Sequence, residues 1–101
     1  MRPLLWSDLR ALARALLMVP KGARAALCAQ VLREADAADR YVQRMGRDHP
    51  TWGNGTLLAA AARLPMAAEP ALSDPDYCAC CLLVLQQYQA DRLSRSCSAA
   101  R

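Results

Sequence analysis

The residue types that could do chemistry gather in one stretch, Gly46-Arg47-Asp48-His49-Pro50-Thr51-Trp52-Gly53-Asn54-Gly55-Thr56. It holds three of the four glycines, the only histidine and one of the two tryptophans. An imidazole is a ready general base when a carboxylate orients it in a pocket that shifts both pKa values. The carboxylates on offer are Glu34, Asp36 and Asp39. Of these, Asp36 and Asp39 share one helical face at the i, i+3 spacing. The spacing fits a structural role better: Asp36 or Asp39 accepts hydrogen bonds from the glycine-rich loop or pairs with Arg40, and Glu34 is solvated. Trp52 is large and apolar with one N–H donor, and it is expected to plug a gap between helices. Asn54 lies between two glycines and suits a turn or the cap of the next helix. The alternative for His49, Trp52 and Asn54 is a recognition surface, since binding residues concentrate on loops held by a rigid scaffold.

The cysteines are Cys28, Cys78, Cys80, Cys81 and Cys97. Their odd number and the crowding of three within one helix do not describe a disulfide framework. Cys78 and Cys81 can share a helical face, but two ligands do not close a tetrahedral zinc site, and Cys28 or His49 would have to arrive from elsewhere. Small core residues are the better reading, so no metal and no cofactor is expected. There is no Gly-x-Ser-x-Gly elbow and no phosphate loop. Gly53-Asn54-Gly55-Thr56, leading into a helix, is too short a signal for an anion site. No catalytic residue is assigned.

The elements that must position these residues read as helices. Isoleucine and phenylalanine are absent and β-branched residues are few, whereas alanine and leucine abound. That composition favours helix over strand. With 101 residues, one domain is expected. After a lead-in over residues 1–6, Ser7 is a candidate N-cap with Asp8 in the first turn, and Trp6 could staple against that turn. Leu9, Leu12, Ala13, Leu16 and Leu17 make one apolar face. Val19-Pro20-Lys21-Gly22 breaks the chain near Met18. A long helix runs from Pro20 or Gly22 to Met45, along Leu27, Val31, Ala35, Ala38 and Val42, with Gly46 as its left-handed end. Leu57 to Leu64 is a short helix stopped by Pro65 and capped by Asn54 or Thr56. Residues 65–73 form a connector, the best candidate for a mobile segment, with Met66 and Leu72 as possible anchors. Ser73-Asp74-Pro75-Asp76 opens the last helix, which should end near Arg92 or Leu93. The fold class is therefore all-α, a compact bundle of about four helices with an ordered Gly/Trp-rich loop. The domain spans 1–93, and 94–101 is a frayed tail.

The formal charge is +4, from thirteen basic against nine acidic residues. The basic residues are spread along the chain, which permits contact with nucleic acid without demanding it. A short Pro-Lys-Gly turn joins the first two helices, as in helix-turn-helix motifs, but the acidic middle of the second helix is unsuited to a major groove. No stretch approaches a membrane span and the start lacks a signal-peptide pattern. The cytoplasm is the expected compartment.

Glu34-Ala35-Asp36-Ala37-Ala38-Asp39-Arg40-Tyr41, then His49-Pro50-x-Trp52-Gly53-Asn54-Gly55-Thr56-Leu57, then Asp74-Pro75-Asp76-Tyr77, resemble a family. It comprises small alphaproteobacterial proteins of unknown function, associated with bacteria that make gene transfer agents, the domesticated phage particles that package host DNA. The resemblance covers nearly the whole chain and carries no catalytic residues over. The cysteine cluster is not part of its pattern. It implies a helper in particle production: a regulator, an assembly or maturation factor, or a packaging component similar to a small terminase. The expected activity is binding to another protein through an apolar groove near the loop, with DNA as the less favoured partner and the oligomeric state left open. An enzyme using His49 with Asp36 or Asp39 is the remote alternative.

Overall fold

In the computed structural model, which describes residues 1–99, four helices follow one another: α1 (Trp6–Leu16), α2 (Lys21–Met45), α3 (Leu57–Ala61) and α4 (Pro75–Ala99). The molecule is the all-α bundle its composition implies. α1 lies mainly against α3 and α4, and α2 closes the other side against the same two helices. The apolar stripe of α1 buries Leu9, Leu12 and Leu16 against Cys28, Val31 and Leu32 of α2, Leu57 and Ala60 of α3, and Tyr77, Cys80 and Val84 of α4. Buried alanines (Ala13, Ala35, Ala38, Ala60 and Ala61) keep the side chains between helices short.

The helix ends depart instructively from expectation. α1 starts two residues earlier than a Ser7 cap would have it, with Leu5 at the cap position. The Asp8 carboxylate reaches back to accept from the Leu5 backbone N–H at 2.8 Å, so the acid of the first turn closes the helix and Ser7 lies inside it. Trp6 does not staple onto α1; its side chain stands 76% exposed. α2 ends as expected on Gly46, at φ 73°, with its N–H on the Val42 carbonyl at 2.8 Å. α3 stops at Ala61, short of the expected Leu64. Pro65 disfavours helical backbone in the residue before it, and the chain leaves in a turn from Leu64 N to Ala61 O at 2.9 Å. Asp74 caps α4, accepting from the N–H groups of Asp76 at 2.9 Å and Tyr77 at 3.1 Å. α4 runs on to Ala99, past the expected end at Leu93. The tail expected over 94–101 has helical backbone as far as Ala99, and residues 100–101 lie outside the described residues.

The 65–73 connector, expected to be the mobile part, is fastened along its length. Arg14 and Ala67 exchange two bonds, Ala67 N to Arg14 O at 3.1 Å and Arg14 Nε to Ala67 O at 2.8 Å. Arg10 holds Glu69 in a two-pronged pair at 2.6 and 2.7 Å, and the Tyr77 hydroxyl donates to the same carboxylate at 2.9 Å. Met66 packs on the core, whereas Leu72 is exposed and anchors nothing.

Candidate functional site

The central loop closes on itself. His49 and Gly53 form a two-bond bridge, N to O at 2.8 and 3.1 Å. Inside it, His49 Nδ1 accepts the backbone N–H groups of Thr51 at 3.0 Å and Trp52 at 3.1 Å. An Nδ1 that accepts assigns the ring proton to Nε2. The indole of Trp52 stacks on this imidazole, centroids 4.7 Å apart and 7° between planes, and Tyr41 meets its edge at 4.9 Å. Trp52 is half-buried and stands outside the core cluster, so the interhelical plug expected of it is corrected. The largest fully buried side chain is Tyr77. Backbone, not indole, fills the space next to the helices: a Cβ on Gly53 would lie 2.7 Å from the Ala59 Cβ, and one on Gly55 2.7 Å from the Asp39 Cα. Both glycines have positive φ, 83° and 94°, which a side chain rarely tolerates.

Asn54 and Thr56 divide the capping of α3. Thr56 Oγ1 accepts from the Ala59 N–H at 3.1 Å, while Asn54 Oδ1 accepts from the Thr56 N–H at 3.1 Å and from its hydroxyl at 2.7 Å. Asp8 provides a further acceptor for this helix, at 2.9 Å from the Leu58 N–H. One buried carboxylate thus joins the starts of α1 and α3.

Asp36 and Asp39 share a face, as their spacing implies, and both meet the Met1 ammonium, at 2.7 and 3.3 Å. Arg40 pairs with Asp36 at 3.4 Å, one of the two roles expected of it. Asp39 meets the loop by packing against Gly55 rather than by capping it. Glu34 is not solvated: it is buried and takes Arg63 and Gln30 as partners. His49 lies among two aromatic rings and two backbone donors, so the structure does not assemble it with Asp36 or Asp39.

Two residues have placements that the sequence reading did not foresee. Arg24 is a buried guanidinium in the first turn of α2. It donates to the Leu16 carbonyl at 2.9 Å and to both oxygens of Asp76 at 2.7 and 3.0 Å, tying the end of α1 to the start of α4. This pairing holds the Asp76 carboxyl below the usual carboxylate range. The other is Trp6, which walls two apolar hollows. One, of about 460 Å³, lies between the start of α1, the connector and α4, among Leu9, Leu72, Cys78, Leu82 and Leu85. The second, of about 420 Å³, is formed with Leu4, Leu5, Leu9 and Leu85. The first of them carries the pair Arg10 and Glu69 in its lining. Bonds from Arg10 and Tyr77 hold the Glu69 carboxyl down to about 2, and burial beside that carboxylate pushes the Tyr77 phenol up to about 12. Both hollows lie between α1, the chain around it and α4, and no residue of the central loop lines them.

Three cysteines lie in the core, and the side chain of Cys97 is outside the described residues. Cys28, Cys80 and Cys81 are buried and Cys78 is half-buried. Burial pushes the Cys28 thiol up to about 12 and raises Cys80 and Cys81 as well. Among the described residues no group of three His, Cys, Asp or Glu could hold a metal ion, and no helix is long and apolar enough to cross a membrane.

These features define an all-α bundle with a self-bonded central loop and an open apolar face between α1 and α4. The chain belongs to the family described as Domain of unknown function (DUF7742), whose model matches residues 2–88. The match spans the loop, the groove and the part of α4 up to Tyr88. No curated protein and no solved structure matches the chain.

Proposed function

We propose that this protein acts by binding another protein, without catalysis, and that it binds through the apolar face between α1 and α4. The observation that carries the reading is the cluster of large apolar side chains left in solvent there: Trp6 at 76%, Leu72 at 66%, Leu5 at 65% and Leu82 at 52% exposed. Single exposed leucines are ordinary, but an exposed tryptophan and several leucines around shared hollows mark an interaction site. Tryptophan and leucine in such a setting give a centre that releases water on contact and a polar rim that fixes register. The resemblance in the sequence is the reason for offering production, regulation or maturation of phage-like gene transfer agent particles as the setting. The family description itself names no activity.

The test is affinity capture with mass-spectrometric identification, comparing wild type, Leu82→Asp and Trp52→Ala, each checked for helicity. The reading expects a specific partner kept by Trp52→Ala and lost with Leu82→Asp. Retention of every partner by Leu82→Asp would overturn it.

One observation supports the second reading, contact with DNA as a packaging or regulatory component. The acidic middle of α2 is turned inward at Glu34 and Asp36, while Arg33, Arg40, Arg44 and Arg47 are exposed. Within α2, Arg33, Arg40 and Arg44 succeed one another at seven- and four-residue steps, which places them along one stripe, and Arg47 follows just past the helix end. Phosphate contacts of this kind predict a gel shift that weakens steeply with salt. No shift at low salt would remove this reading.

A further inference from the structure

We propose that the occupant of the α1–α4 face is a second copy of this chain, paired through α4 in antiparallel fashion about a dyad between Leu82 and Leu85. This rests on the reading of that face as a docking surface and names its partner.

The argument starts from the outward stripe of α4. Cys78, Leu82, Leu85, Gln89 and Arg92 follow at steps of four, three, four and three, the spacing of a seam between helices. Leu82, Leu85, Gln89 and Arg92 are exposed and Cys78 is half-buried. The first four positions are palindromic. Reversing the helix about the midpoint of Leu82 and Leu85 exchanges those two leucines and exchanges Cys78 with Gln89. A two-fold axis requires a patch that complements itself in this way. The same operation brings Arg92 beside Pro75 and Asp74 of the other copy. Among the described residues neither Arg92 nor Asp74 makes an ion pair, and Asp74 uses only Oδ1 for its capping bonds. Opposed helix dipoles also favour the antiparallel sense.

Charge points to the same face. A copy of this chain carries +4, so most surfaces repel their own image. The α2 stripe of arginines would do so directly. The α4 seam is uncharged between Asp74 and Arg92, and its rim pair Arg10–Glu69 is neutral. Trp6 stands as a knob beside Leu85 and next to a hollow of about 460 Å³, so each copy offers both a projection and a recess. Towards the end of α4, Gln89, Arg92, Leu93 and Ser94 are exposed, while Ala90 and Asp91 line a hollow with α2. A helix segment this short is marginal without packing, and a second α4 supplies it. About four turns of paired helix with flanking indoles bury on the order of 700 Å² per copy, at the lower side of a specific interface. The dimer is therefore reversible and depends on concentration.

Sedimentation velocity from micromolar to millimolar protein tests this. The expected result is a monomer–dimer equilibrium whose dissociation constant rises about 30-fold or more in Leu82→Asp and also rises in Gln89→Lys, a change at an exposed position, with both variants checked for helicity. A short bis-maleimide applied to Gln89→Cys should link two chains, and the link should vanish in Cys78→Ser with Gln89→Cys. A wild type that stays monomeric throughout overturns the pairing. So does a dimer indifferent to both seam variants, or a cross-link that survives removal of Cys78. The docking reading itself fails on a different result, capture of every partner by Leu82→Asp.

Discussion

The central loop and the α1–α4 face are opposites in how their side chains are spent. Between Gly46 and Thr56 the polar groups are turned inward on one another. The imidazole of His49 takes two backbone donors, Asn54 takes two from Thr56, and Thr56 takes one from Ala59. The rings stack on each other. Across the bundle, Trp6, Leu72 and Leu82 are plain apolar side chains standing in water. The loop that holds the only histidine thus spends its polar groups internally, whereas the α1–α4 face leaves large apolar side chains in water. Hydrogen-bonding capacity consumed within a loop is not available to a ligand, whereas unburied apolar area is.

Breaking the loop should cost stability. The largest effect is expected for Gly55→Ala, which combines positive φ with a Cβ 2.7 Å from the Asp39 backbone. A loss of about 3 kcal/mol in urea unfolding is expected from strain and overpacking together. Asp8→Ala comes next. It strips the acceptor from the Leu5 and Leu58 N–H groups and should cost about 2 kcal/mol on the same measurement. Trp52→Ala removes the ring stacked on His49 and should cost about 1.5 kcal/mol, with loss of Tyr41–His49–Trp52 order seen in near-ultraviolet dichroism.

The smallest effect sharpens the other side of the comparison. Glu69 is held down to about 2 from an ordinary value of 4.5. The folded state therefore binds its proton more weakly than the unfolded chain, and the Arg10–Glu69 contact contributes stability above pH 4.5 that fades as pH falls from there towards 2. Unfolding midpoints followed across that window should converge for wild type and Glu69→Gln. Because this pair sits at the solvent-facing rim, salt should diminish the difference.

Much of the scaffold could be read from the chain. The three- and four-residue spacing from Leu9 to Leu16 gives the buried stripe of α1 directly, Gly46 marks its helix end by its freedom to take positive φ, and the polar residues before α3 and α4 mark where those helices start. What could not be read depends on partners far away in sequence. Arg24 looks like an ordinary charge in a helical first turn until α1 and α4 bring Leu16 and Asp76 to it. Asp8 shows its acid-in-first-turn signal, but not its bond to Leu58 fifty residues on. Trp52 has the bulk of a core residue, yet bulk does not say whether an indole faces helices or an imidazole. Trp6 displays the converse limit. Its position before a helical stripe suggests a staple, and only the assembled bundle leaves it exposed. An apolar groove was expected near the loop, but the apolar hollows with Trp6 lie where helices run out of neighbours, at the start of α1 and along the outer side of α4.

Sedimentation velocity of Leu82→Asp and Trp52→Ala side by side, at concentrations where wild type associates, tests the division most directly. The account predicts that Trp52→Ala sediments as wild type does while Leu82→Asp sediments as a folded monomer. Association kept by Leu82→Asp and lost by a folded Trp52→Ala would contradict it.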